Sequence, residues 1–138
     1  MGVLIADWLL TTAGWTGPSG QFVVAGTGAA AVDTDDPAQT ALVVLADLSA
    51  AINDASPRPR NEASVAMSVT IADAVASADV PTLANLDADK AAYLDIEGAP
   101  SLRYLAAAAG TGEYDTSVEF RGAPFGVDYI VAAWRRRR

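Results

Sequence analysis

Glu62-Ala63-Ser64-Val65-Ala66-Met67-Ser68-Val69-Thr70-Ile71-Ala72-Asp73 is the stretch on which the fold turns. Val65, Met67, Val69 and Ile71 alternate with Ser64, Ala66, Ser68 and Thr70, the period of two that sends successive side chains to opposite faces of a strand. The alternation predicts a strand over residues 62–73, one face buried and one open to solvent or a partner. Just ahead of it, Ser56-Pro57-Arg58-Pro59-Arg60 predicts a stiff extended linker, because each proline biases the preceding residue away from helix.

Working upstream, residues 37–53 predict a helix. Asp36 can cap it, Pro37 takes the first helical position, and Gln39 completes a capping box. Leu42, Leu45, Leu48, Ser49 and Ile52 recur as a buried stripe, with Thr40, Val43, Asp47 and Asp54 on the opposite face. Residues 21–25 read as a short strand, residues 15–20 as a turn holding Gly17, Pro18 and Gly20, and residues 3–10 as a short apolar helix or arm.

Downstream, Asp87 caps a short helix reaching Ile96, and Pro100 opens a second over residues 101–109, closed by Gly110. Residues 116–121 and 127–134 read as two strands joined by Gly122-Ala123-Pro124-Phe125-Gly126, a hairpin with a five-residue loop. The pattern predicts an α+β fold: one small domain whose antiparallel sheet, with a C-terminal β-hairpin, packs against two or three helices. Its divisions are an arm (1–20), the domain (21–134) and a basic tail (135–138).

A chain of 138 residues fits one core. Seventeen acidic residues against nine basic ones give −8, and four of the basic residues are Arg135, Arg136, Arg137 and Arg138. The rest of the chain is therefore more acidic still and repels nucleic acid and anionic membranes, so any nucleic acid contact runs through the tail. The dominance of Asp over Glu and Arg over Lys fits a GC-rich genome, with a high-salt host as the alternative. Asp7 interrupts the apolar run of residues 3–10 and no basic segment precedes it, so no signal peptide is expected. Ala6 stands where a myristoylation motif on Gly2 wants Ser or Thr, and no apolar run is long enough to predict a membrane span.

The chain has no His and no Cys. That rules out a Ser-His-Asp triad, a thiol nucleophile and a zinc site built on imidazole or thiolate. Gly26-Thr27-Gly28-Ala29-Ala30-Ala31 imitates a dinucleotide fingerprint. Yet Pro37 delays the helix, and Asp33, Asp35 and Asp36 stand where the pyrophosphate would sit. Those three carboxylates suit a helix start better than a Ca²⁺ site, since the loop lacks the Gly and distal Glu of an EF-hand. Asp115-Thr116-Ser117 mimics an aspartic protease triplet, but it lacks the buried strand before it and a second copy. No enzyme, cofactor or metal is expected.

Leu86-Asp87-Ala88-Asp89-Lys90-Ala91-Ala92-Tyr93-Leu94-Asp95-Ile96, followed by Leu102-Arg103-Tyr104-Leu105 and Ala106 to Ala109, resembles a phrase of tailed-phage head–tail adaptor proteins. There a short capped helix ending in Leu-x-Ile leads through an acidic turn to an Ala-rich helix. The likeness spans about 24 residues and lies mid-chain, where that family has it near the start, and the hairpin that follows departs from the all-helical adaptors. It fits better the small α+β terminator, completion or capsid decoration subunits. The resemblance implies a non-enzymatic virion assembly subunit in a ring or shell of copies with other virion proteins, built in the host cytoplasm and carried in the virion.

On that reading Trp8, Trp15, Trp134 and Arg135 to Arg138 are the interface residues, since Trp and Arg commonly anchor protein interfaces. Removal of the four arginines is expected to leave the fold intact while abolishing assembly. The alternative is a cellular binding module that lays the arginine tail on nucleic acid or an acidic protein. An enzyme using carboxylates is the third class.

Overall fold

The computed structural model describes residues 48–137, together with Thr11, Thr12, Gly14, Val44 and Ala46. Within residues 48–137, four helices precede a hairpin: α1 (Glu62–Ser77), α2 (Val80–Ala84), α3 (Ala88–Tyr93), α4 (Ala99–Ala109), β1 (Tyr114–Gly122) and β2 (Tyr129–Arg136). The expected α+β class holds, and among the described residues the sheet is this antiparallel pair alone.

The strand expected over residues 62–73 is instead helix α1. Asn61 caps it, its side chain accepting from the N–H groups of Ala63 and Ser64. The buried positions are Ser64, Ser68, Ile71, Ala72 and Ala74, a helical repeat, while Val69 is 43% exposed. The alternation misleads because the serines it assigns to the wet face are the ones that go inside. Ser49 Oγ lies 2.6 Å from Ser64 Oγ, Ser64 Oγ donates to the Leu94 carbonyl at 2.9 Å, and Ser68 Oγ donates to the Asp128 carboxylate at 2.6 Å. Small hydroxyls let three other segments approach this helix face closely, each with a bonded partner.

The helix expected over residues 37–53 is absent wherever that stretch is described: Val44, Ala46 and residues 48–53 are not helical. Side chains take the backbone donors that a helix would use. Ala51 N–H donates to Ser49 Oγ, and Ile52 and Asn53 N–H donate to Ser56 Oγ. The carbonyls of Ser49, Ala50 and Ala51 accept from the N–H groups of Asp128, Arg58 and Asn61. Leu48 and Ser49 are nonetheless buried, as the expected stripe requires.

Asp87 caps α3 through the Lys90 N–H, and Leu94 closes it shortly before the expected end at Ile96. Pro100 lies in the first turn of α4, which ends at Gly110. The core gathers Ile71, Leu83, Leu94, Ile96 and Leu102, with Ile130 and Trp134 of β2 packed against it.

The hairpin meets α1 through both of its strands. Its register pairs Thr116 with Trp134, Val118 with Ala132, and Phe120 with Val131, with an irregularity at Glu119. Pairing continues through Arg135 and Arg136, which oppose Asp115 and Tyr114, and Arg137 N–H donates to the Glu113 carbonyl. Removing the arginines would therefore cut into β2 itself, contrary to the expectation that their loss spares the fold.

Candidate functional site

In an antiparallel pair, residues directly opposite share a face. The inner face of the hairpin holds Ile130, Ala132 and Trp134 of β2, all partly buried, Ile130 and Trp134 against the core, and Val118 of β1 opposite Ala132, 45% exposed. The outer face holds Tyr129, Val131, Ala133 and Arg135 of β2, opposite Gly122, Phe120, Ser117 and Asp115 of β1, and all four β2 residues are exposed. Phe120 folds back toward Gly122, its ring tip in van der Waals range of where a side chain there would begin.

The tip of the hairpin is fastened to the turn before α1. Ser56 Oγ donates to the Gly126 carbonyl at 2.6 Å, and Asn53 Nδ2 reaches the Ala123 carbonyl at 3.5 Å. Gly126 is buried with φ of +75°, and a Cβ there would collide with the backbone of Ala55 and Ser56. The tip is thus fixed while Phe125, its neighbour, stands 75% exposed. An aromatic held out on an anchored loop loses little further freedom when it meets a partner.

The other end of the hairpin carries charge. Arg137 binds Asp115 at 2.7 Å and lies 3.8 Å from Glu113, and the Asp115 carboxylate raises the Arg137 guanidinium above its ordinary value. Among the described residues Arg135 and Arg136 make no ion pair. Trp134 is turned inward: its Nε1 donates to the Val75 carbonyl at 2.7 Å, and its ring lies 5.6 Å from that of Tyr114. The indole thus joins the hairpin to the C-terminal end of α1. Trp8, Trp15, Arg138 and the Asp33, Asp35 and Asp36 group lie outside the described residues.

The remaining ion pairs are structural in position. Arg121 joins β1 to Asp73 of α1, Arg58 meets Asp95 at 3.4 Å, and Arg60 meets Glu62 at 2.7 Å. The hydrogen bond from Arg60 lowers the Glu62 pKa, and the Thr82 hydroxyl does the same for Asp79. All are exposed pairs of small energetic weight. A shallow cavity of about 330 Å³, lined in part by Leu48, Arg58, Asp95, Glu97 and Tyr129, opens beside the outer face.

Phe120, Phe125, Tyr129 and Val131 escaped the sequence reading as interface residues. Their signal was present: Tyr129 to Trp134 is apolar at every position, whereas a hairpin with one wet face should alternate. Among the described residues, no helix is long and apolar enough to cross a membrane. No family model, no curated protein and no solved structure matches this chain.

Proposed function

We propose that this chain is a non-enzymatic assembly subunit that works through protein–protein contacts, in the virion of a tailed phage as a connector, terminator or completion, or capsid decoration protein. The observation that carries the assembly reading is the hairpin's outer face, with Tyr129, Phe120 and Val131 exposed along it and Arg135 at its end, and Phe125 exposed on the loop at the tip. Contiguous exposed apolar surface on a small domain marks an interaction site. The virion class rests on the resemblance of residues 86–109, and the capped α3, the turn at Asp95 and the Ala-rich α4 support it locally.

The test is the composition of particles made from the genome that encodes the chain. Mass spectrometry of purified particles is expected to find it in a fixed copy number that survives washing. Its absence from particles overturns the virion reading. Arg135 and Arg136, which have no ion pair among the described residues, favour one second reading, a cellular module that binds a polyanion or an acidic protein. That reading requires nucleic acid affinity that falls as salt rises, by about 0.9 in the log–log slope for each phosphate contact.

A further inference from the structure

A two-stranded hairpin gains stability when its faces are covered. Here the helices cover Ile130 and Trp134 of β2 on the inner face, Val118 of β1 stays 45% exposed at its edge, and Phe120, Tyr129 and Val131 stand together on the outer one, each more than two-fifths exposed. We infer that a second copy of this chain covers that face, the two hairpins packing together across a two-fold axis perpendicular to the strands. This rests on the assembly reading and gives it a surface.

The face is its own complement. From tip to open end it runs Tyr129, then Phe120 beside Val131, then Ser117 beside Ala133, then Asp115 beside Arg135. Asp115 is already held by Arg137, which leaves Arg135 as the one described cation of the face with no ion pair. An axis across the strands lays each Arg135 on the aromatic end of the other copy, where a guanidinium stacks on ring faces. Val131 and Ala133 then meet near the axis. An axis along the strands lays β2 over β1 of the other copy, so that Arg135 meets an Asp115 already held by Arg137, and rings meet only rings. A polyanion is a poorer occupant: the chain carries −8, and among the described residues the face offers it one cation without an ion pair.

Strands of eight or nine residues, about 26–30 Å long, and a width of two strands give a contact below the roughly 800 Å² per partner of a standard interface. Pairing through it is accordingly concentration-dependent, a link within a larger assembly rather than a permanent dimer.

The experiment uses the full chain. Because the chain has no Cys, a single introduced thiol reports one place. Sedimentation equilibrium is expected to show a monomer–dimer equilibrium that Val131→Asp weakens at least tenfold. Ala133→Cys, treated with a short bis-maleimide, is expected to give covalent dimer. Tyr93→Cys on α3, at a position 86% exposed in the native chain, is expected to give none. The cross-link carries the test on its own if Val131→Asp does not fold. Association unchanged by Val131→Asp, with the Ala133→Cys variant linking no better than the Tyr93→Cys variant, overturns the inference. A monomer at every concentration overturns it too. If the thiol of the Ala133→Cys variant then resists a small maleimide, the chain's own earlier residues hold the face. Either failure leaves the virion reading standing whenever the chain is found in particles, so the two fall separately.

Discussion

At Gly126 the backbone takes φ of +75° and passes so close to Ala55 and Ser56 that no side chain fits between them. Both conditions need glycine, one for conformation and one for space. Gly126→Ala is expected to lower stability by about 2–3 kcal/mol and to release the tip that presents Phe125. Chemical denaturation of the pure variant measures the first effect, and faster hydrogen exchange at the Asp128 N–H, bonded to Ser49, measures the second. A loss within experimental error would mean that the turn and the tip are not joined. Single residues of this kind were partly legible in the sequence. Asp87, Pro100 and Gly110 act where their chemistry predicted, because capping, ring closure and helix arrest are local effects. Ser49, Ser64 and Ser68 were not, since what buries them is the approach of segments 15 to 60 residues away.

The elements show the same division between local and distant causes. The hairpin was legible because turn residues and flanking β-branched and aromatic residues sit within one short window. Helix α1 was not, because Val65, Met67, Val69 and Ile71 satisfy a period of two as well as parts of a helical stripe, and periodicity alone cannot choose. Its tertiary partners choose, through the serines that face inward. The two readings part at neighbouring even steps. A strand would put Val69 and Ile71 on one face and make their truncation costs similar. In α1, Ile71 is fully buried while Val69 is 43% exposed. Ile71→Ala is expected to cost about 2–5 kcal/mol and Val69→Ala well under about 1 kcal/mol, read from urea midpoints at equal slope. Equal costs would restore the strand. Residues 48–53 make the complementary point: hydrophobic spacing placed Leu48 and Ser49 inside correctly, while Ser49 and Ser56 took the backbone donors that a helix needs.

For the whole molecule the arginines divide by what they touch, a division that charge counting could not make. Arg137 serves the fold, clipping the end of β2 to Asp115 and Glu113. Arg135 and Arg136 extend the strand without ion pairs among the described residues and are available to meet another molecule. Arg137→Gln is therefore expected to lower the melting temperature only slightly, as loss of an exposed pair does, and to leave association unchanged. Arg135→Gln should do the reverse, keeping the melting temperature and weakening association. Ionic strength then distinguishes how the arginines act. Two copies each carrying −8 repel, and salt screens that repulsion. Stacking of Arg135 on rings and burial of Val131 and Phe120 depend little on screening, so association through the outer face should strengthen between low and moderate salt. Docking of Arg135 or Arg136 on a neighbour's carboxylates, the contact the sequence suggested, should instead weaken over the same range. Sedimentation of the intact chain at several salt concentrations reads the sign directly. A fall in association with salt, abolished by the Arg135→Gln and Arg136→Gln pair, would assign the contact to arginine–carboxylate pairing and remove the outer face from the account.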